Sequence, residues 1–187
     1  MLFLFAKGHQ GNPCEPMTGR TRLMKMVFLF EKEIRQLFNL SKVIPTSALP
    51  DFEAYNFGPF AKAVYADLEF LQSLGFIEVR RTDDDTKSET ESLEEDYWME
   101  TEGADDKPDT DYDEDILLPY RYSLTPTGEE FVREELLPNL VDEQLQALDE
   151  FKARCTSVSL NTLLKYVYTK YPESAKNSEI RDKVLKK

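Results

Sequence analysis

Apolar side chains recur at steps of three and four along much of the chain, and this spacing predicts helices that each bury one face. A short apolar run over residues 2–7 predicts a small buried helix. Two longer helices are predicted over residues 20–38 and 59–74. Their buried faces would comprise Leu23, Val27, Phe30, Ile34 and Leu37 in the first and Phe60, Val64, Leu68 and Leu71 in the second.

The pattern changes between these two helices. Residues 52–55 alternate between apolar and polar types, which predicts a short extended segment. Residues 56–59 have the composition of a turn, and Pro59 suits the first turn of the helix that follows. Gly75 is placed to end that helix, because glycine readily adopts the left-handed conformation found at helix C-termini.

Two strands are predicted next, over residues 76–81 and 118–124. Thr125 and Pro126 then predict the cap and first turn of another helix. Helix, helix, strand, turn, strand, helix is the order of a winged helix-turn-helix domain. We therefore predict a mainly α (α+β) fold with a two-stranded wing.

The C-terminal part of the chain predicts further helices. A polar helix is predicted over residues 139–153, an amphipathic helix after a cap at Ser159, and a short helix over residues 179–185. The amphipathic helix carries an apolar stripe made of Leu160, Leu163, Leu164, Val167, Tyr168 and Tyr171. Such a stripe is either part of the core or the contact of a homodimer formed through the Leu160–Tyr171 helix.

Acidic residues are concentrated between the two predicted strands. Residues 83–115 carry 17 Asp and Glu against two Lys, a net charge of −15, whereas the whole chain has −13. The rest of the chain is therefore close to neutral. We predict one domain from residues 1–82 and 117–187, and a disordered acidic insert over residues 83–116 at the wing tip.

Two short motifs stand out within the insert. Tyr97, Trp98 and Met99 form an aromatic and Met cluster between acids, which is typical of a small partner contact or of a segment that docks on its own domain. Residues 109–113 resemble the start of a calcium loop. The required Gly and the final bidentate Glu are missing there, so calcium binding is disfavoured.

Basic side chains near the predicted wing and the start of the first long helix form a candidate contact for nucleic acid or another anion. They are Arg20, Arg22, Lys25, Lys62, Arg80, Arg81 and Arg121. Cations in a first helical turn oppose the helix dipole, which suggests that a phosphate or a carboxylate compensates them. The alternatives are cations spread over a solvated surface, or cations covered by the acidic insert.

The helix over residues 59–74 is a poor DNA-reading helix. Its predicted outward face offers one basic residue, Lys62, against Asp67 and Glu69, and carboxylates repel the DNA backbone. Phe70 on the same face favours a protein partner, or burial under another part of the chain.

Several classes of protein are disfavoured by what the sequence lacks. His9 is the only histidine, Cys14 and Cys155 form no metal-binding pair, and the glycines form no phosphate-binding loop. We therefore expect a binding protein and not an enzyme, with no cofactor and no metal. No apolar run reaches the length of a membrane span, so we expect a cytoplasmic protein with no membrane partner.

A family resemblance rests on segments at residues 19–25 with 28–31, 52–66, 122–128, and 163–168 with 171–173. Together they resemble the YwgA-like bacterial winged-helix proteins and, more distantly, the Panacea domain of antitoxins and the SocA adaptor. The Gly58-Pro59 turn followed by Tyr65 and Leu68 is the most specific part. The resemblance implies a small prokaryotic or phage-encoded winged-helix protein without enzymatic activity, and in the antitoxin branch one that binds another protein.

Two hypotheses follow from the sequence. The first is a regulator or antitoxin-like adaptor that acts through protein contacts. The second is a DNA-binding transcriptional regulator that uses the cations of the wing and helices. A salt series of gel shifts separates the two, because DNA affinity that depends on phosphate contacts falls steeply with salt.

Overall fold

The computed structural model describes residues 1–81 and 120–186. The N-terminal part begins with helix α1 (Leu2–Phe5) and strand β1 (Met17–Thr18). Helix α2 (Arg20–Leu29) continues through a π-helical turn, Phe30–Ile34, into helix α3 (Arg35–Leu37). The helix predicted over residues 20–38 is therefore confirmed, with a π-helical turn that periodicity did not show.

A β-hairpin separates this helical segment from the next. Strand β2 (Glu53–Tyr55) pairs antiparallel with strand β3 (Gly58–Phe60), and helix α4 (Lys62–Ser73) follows. The extended segment was predicted correctly, but the placement of Pro59 in the first helical turn was wrong. Pro59 lies in β3, where it is opposite Ala54, and Gly58 before it adopts φ 82° close to the ring of Tyr168.

The two predicted wing strands pair with each other. Strand β4 (Ile77–Arg81) and strand β5 (Tyr120–Leu124) are antiparallel, with Ile77 opposite Leu124 and Arg81 opposite Tyr120. Strand β1 adds to the free edge of β5, so the sheet has the order β1-β5-β4. The third strand was missed because two residues are too short to show alternation.

The remaining helices follow β5. They are α5 (Pro126–Phe131), which continues through a π-helical turn (Val132–Leu136) and a 3-10 turn (Leu137–Asn139), then α6 (Asp142–Ser157), α7 (Leu160–Lys170), a 3-10 turn (Pro172–Ala175) and α8 (Arg181–Lys186). The predicted caps are confirmed: the side chains of Thr125 and Ser159 accept hydrogen bonds from the backbone N–H groups of Gly128 and Thr162.

The core forms around α2, which contacts both α6 and α7. The apolar stripe of α7 lies inside it, with Val167 and Leu164 fully buried and Tyr168 1% exposed. Of the two alternatives for this stripe, the structure favours the core over a homodimer contact, because the chain's own elements already cover it. Leu37 also departs from prediction: it is 70% exposed because the π-helical turn shifts the helix face that reaches the core.

The predicted acidic insert, including Tyr97, Trp98, Met99 and residues 109–113, lies outside the described residues. None of the helices that the structure describes is long and apolar enough to cross a membrane.

Candidate functional site

Two of the predicted anion-contacting cations are buried, which corrects their assignment. The guanidinium of Arg22 donates to the backbone oxygens of Cys155 and Val158 at the end of α6. The ammonium of Lys25 donates to the oxygen of Pro59 at 2.9 Å, and burial lowers the pKa of Lys25 to about 7. The compensating groups for these charges are carbonyl oxygens within the chain, so neither side chain faces a phosphate.

Arg20 lies between two aromatic rings. Its guanidinium carbon is 4.8 Å from the ring centre of Tyr65 and 4.5 Å from that of Tyr120. Arg81 lies over the same Tyr120 ring at 5.4 Å, and its Nη2 donates to the Tyr120 hydroxyl at 3.2 Å. Cation–π contacts of this kind hold a guanidinium in one orientation while leaving it charged.

Further aromatic rings extend this arrangement. Phe60 lies 5.7 Å from Tyr65 and 5.1 Å from Tyr55, measured between ring centres. We call the whole set the cation–aromatic row, which consists of Tyr55, Phe60, Tyr65, Arg20, Tyr120 and Arg81. It connects the β2–β3 hairpin, α4, the start of α2 and the end of the β4–β5 strand pair.

Arg80 and Arg121 lie on the other face of the β1-β5-β4 sheet. They are opposite each other in the β4–β5 register, one position away from the Arg81 and Tyr120 pair. Successive residues of a strand point to opposite faces, so Arg80 and Arg121 face away from the cation–aromatic row. Arg80 is also paired with Glu78 at 2.7 Å. The predicted cations therefore do not form one patch.

Helix α4 exposes large apolar side chains. Phe70 is 61% exposed and Leu74, four positions later, is 48% exposed. Ala63 and Ala66 are exposed on the same side of the helix. We call Ala63, Ala66, Phe70 and Leu74 the α4 stripe. Phe70 thus has the outward position that the sequence predicted.

Acidic side chains border the α4 stripe. Asp67 and Glu69 are exposed on α4 itself, where Lys62 is the single basic residue. The end of α4 also meets the start of α5, because the Thr125 hydroxyl donates to the carbonyl of Gly75. Glu129 of α5 and Arg133 of the turn after it pair with each other, and Arg133 lies over the ring of Phe5 on α1, so these charges are not part of the α4 stripe.

A buried lysine fixes the N-terminal segment. Lys152 on α6 has no solvent exposure, and its ammonium donates to the backbone oxygens of Leu4, Ala6 and Glu15. Burial lowers its pKa to about 8. All of its donors are used within the chain, so we assign it a structural role.

A cluster of one carboxylate and two tyrosines joins α7 to the π-helical turn Phe30–Ile34. Sequence spacing gave no indication of it. Glu33 accepts hydrogen bonds from the hydroxyls of Tyr166 and Tyr171 and lies 3.0 Å from the ammonium of Lys170. Burial, together with the hydrogen bond to Glu33, raises the pKa of Tyr171 to about 12. The partners are more than 130 residues apart in sequence, so no local pattern indicated them.

The described residues also include a cavity of about 360 Å³ between α1 and α6, lined mainly by Leu2, Phe5, Pro13, Leu137, Leu145 and Leu148. At its rim Lys7 pairs with Asp149 at 3.3 Å. Across residues 1–81 and 120–186, no three His, Cys, Asp or Glu side chains are grouped so that they could hold a metal ion.

Comparisons with protein-family models, with curated proteins and with solved structures found no match for this chain.

Proposed function

We propose that this chain is a non-enzymatic winged-helix regulator or adaptor that binds another protein through the α4 stripe. The observation that carries the proposal is the exposure of Phe70 and Leu74 on one side of α4. Two large apolar side chains on adjacent turns of an exposed helix are costly to leave in water and are typical of a protein contact.

The arrangement of elements supports the winged-helix part of this proposal. Helices α2 and α4 come before strands β4 and β5 in the chain. Together with β1, these strands form a sheet of order β1-β5-β4. In a winged helix-turn-helix the second helix of the pair is the one presented to the ligand. We assign that role to helix α4, and the antitoxin-like family resemblance supports the same class.

The charge of α4 supports a protein over a DNA duplex as its ligand. A helix that enters the major groove needs Arg, Lys, Asn or Gln at base edges. The exposed side of α4 instead has Ala63, Ala66 and Phe70, with Asp67 beside them and Lys62 as its single basic residue. Each carboxylate would repel the phosphates at close range.

A photo-crosslinking experiment tests the proposal. A photoreactive phenylalanine analogue at position 70 should give one dominant crosslinked protein in native cells, whereas the same analogue at position 37 should not. Leu37 is the matched control because it is 70% exposed on a different helix. Equal crosslinking from both positions, or none from position 70, would refute a partner site on α4.

Tyr97, Trp98 and Met99 are proposed as a second contact on the basis of sequence alone, since they lie outside the described residues. Deletion of residues 94–102 should then weaken capture of the crosslinked partner without abolishing it. Unchanged capture would remove the insert from the proposal.

DNA or RNA binding is the second candidate, favoured by Arg20 and Arg81 in the cation–aromatic row. Arginine beside half-buried aromatic rings, here Tyr65 and Tyr120, suits phosphates and stacked bases. Gel shifts over a salt series should then show a steep loss of affinity with salt. Arg81→Ala should weaken binding and Arg80→Ala should not, because these neighbours face opposite sides of the sheet. A salt slope near zero excludes this candidate.

A further inference from the structure

We infer that the β2–β3 hairpin opens away from α2 when the buried side chain of Lys25 takes up a proton. The hairpin is then a pH-sensitive switch built into the fold. It is independent of the proposed partner site on α4, because Lys25 lies on α2 and its contact is with the backbone of β3.

Lys25 contacts the hairpin from inside the domain. Its side chain is 2% exposed, and its amine nitrogen lies 2.9 Å from the carbonyl oxygen of Pro59 in β3. This oxygen is its one acceptor among the described residues. A charged ammonium has three N–H donors, so two of them lack an acceptor while the hairpin is closed as in the structure. The charged form is therefore costly to bury, and the neutral amine fits the closed hairpin better.

The surroundings of Lys25 do not compensate its charge. The buried titratable groups on α2, α6 and α7 are Arg22, Lys152, Cys155 and Tyr168, and the half-buried ones on the π-helical turn Phe30–Ile34, α4 and α6 are Glu31, Glu33, Tyr65 and Asp149. None of these described groups shifts the pKa of Lys25, which burial lowers from 10.5 to about 7. Burial also raises the pKa values of Cys155 and Tyr168 to about 12, so both stay neutral where Lys25 titrates.

Two hydrogen bonds that hold the other side of the hairpin carry no charge. The side-chain amide of Asn177 donates to the oxygen of Ala54, and the backbone N–H of Glu179 donates to the oxygen of Asn56, both at 3.0 Å. Residues 49–52 before the hairpin have no regular structure, and Ala61 after it is a single extended residue ahead of α4. The hairpin can therefore swing about these two short segments while α2 stays folded.

Protonation favours the open hairpin because water then solvates the ammonium. In the open state Lys25 regains its ordinary pKa of 10.5, whereas in the closed state the pKa is about 7. Opening therefore becomes easier as the pH falls from 10.5 to about 7, and it changes little below that, where Lys25 is charged in both states. Phe60 moves with the hairpin, so its contact with Tyr65 in the cation–aromatic row is lost on opening.

Hydrogen exchange of the full chain tests the switch. The reporter is the N–H of Glu179, which loses its acceptor on Asn56 when the hairpin opens. The reference is the N–H of Leu164, which is fully buried within α7. Dividing the intrinsic by the measured exchange rate gives a protection factor that is free of the direct effect of pH on exchange. From pH 9 to pH 7 the protection of Glu179 should fall about 50-fold.

The controls separate the hairpin from the rest of the domain. Lys25→Met should abolish most of the fall, because the closed hairpin then buries no titratable group at this position. Lys62→Met should leave the fall unchanged, since Lys62 is an exposed lysine two residues after the hairpin. Urea below the unfolding transition distinguishes local opening from global unfolding, because its effect scales with the surface exposed. The protection of Glu179 should depend on urea weakly, and that of Leu164 steeply.

Either of two results overturns the inference. One is an equal fall in the protection of Glu179 in wild type and in Lys25→Met. The other is a urea dependence at Glu179 as steep as that at Leu164, which means that the proton unfolds the whole domain. The urea comparison uses the wild type alone, so it decides even if Lys25→Met does not fold. The partner site on α4 is tested separately by crosslinking at position 70.

Discussion

Several basic residues in this chain donate hydrogen bonds to backbone carbonyl oxygens of the same chain. Arg22, Lys25 and Lys152 are buried and donate to carbonyl oxygens. The sequence indicated that cations at the start of α2 needed compensation, because they oppose the helix dipole. It could not indicate the compensating group, since the partners of Arg22 and Lys25 lie 136 and 34 residues away.

The pH dependence of stability should report the buried Lys25. Its pKa is lowered from 10.5 to about 7 in the folded state, so the unfolded chain binds the proton more tightly. Stability should therefore rise as pH increases from about 7 towards 10.5, by at most about 1.4 kcal/mol per pH unit for each such group. Urea unfolding at pH 7 and pH 9 measures this rise.

Lys25→Met should reduce that rise, and Lys62→Met should not, because Lys62 is exposed. The remaining slope should come from Lys152 and from the Met1 amino group, whose pKa values burial lowers to about 8 and about 6. An identical slope in wild type and Lys25→Met would contradict the burial of Lys25.

Gly128 should tolerate no larger side chain. An added Cβ would lie 1.9 Å from the carbonyl oxygen of Phe76, and this oxygen is backbone that cannot rotate away. Gly128→Ala should therefore cost about 3 kcal/mol, at the upper end of the range for overpacking. Chemical denaturation measures the loss, and Thr127→Ala at the exposed neighbouring position should change stability by less than about 0.5 kcal/mol.

At the scale of elements, sequence periodicity located most helices but not how they end or pair. Strands β4 and β5 were predicted because Ile77 and Val79 alternate with polar residues, and Thr125 and Pro126 marked the next helix. Strand β1 has only two residues, so it carries no pattern of its own. Its position is set by pairing with β5, which is a contact across more than 100 residues.

Helix α7 illustrates the limit of an amphipathic pattern. Its stripe could face the core or a second copy of the chain, and the sequence alone could not decide. The structure places Leu164 and Val167 in the core at 0% exposure. Periodicity shows that a face is apolar, but only the packed neighbours show what covers it.

Leu164→Ala should therefore destabilise the single chain. Loss of a fully buried leucine typically costs about 2–5 kcal/mol. The midpoint of unfolding should fall by the same amount at low and high protein concentration, because the stripe is intramolecular. A loss that depends on protein concentration would instead indicate a contact between copies.

At the scale of the whole molecule, the sequence could indicate one of the two candidate surfaces, the α4 stripe, but not the other, the cation–aromatic row. The α4 stripe was anticipated through Phe70, because one exposed helix face can be deduced from spacing. The cation–aromatic row could not be, because Tyr65, Arg20 and Tyr120 come from three separate elements. The expected single cationic patch failed because Arg22 and Lys25 are buried against distant backbone oxygens, and because Arg80 and Arg81 point to opposite faces of one strand.

Arg20 should contribute to stability by connecting these elements. Arg20→Ala should cost about 1–2 kcal/mol, because cation–π contacts to both Tyr65 and Tyr120 are lost. Arg20→Lys should recover only part of this, since an ammonium cannot stack flat between two rings. Thermal unfolding measures both. Arg80→Ala should have little effect, and a loss equal to that of Arg20→Ala would argue against the ring contacts as the cause.

The register of β4 and β5 places Arg81 directly opposite Tyr120, although 38 residues separate them in the chain. The chain between these two residues therefore begins and ends at neighbouring positions of the sheet. A reporter domain or an affinity tag spliced between these two positions would need only closely spaced termini. Insertions between residues 81 and 120 are therefore expected to be tolerated at very different lengths, because loop closure costs little more free energy as a loop grows.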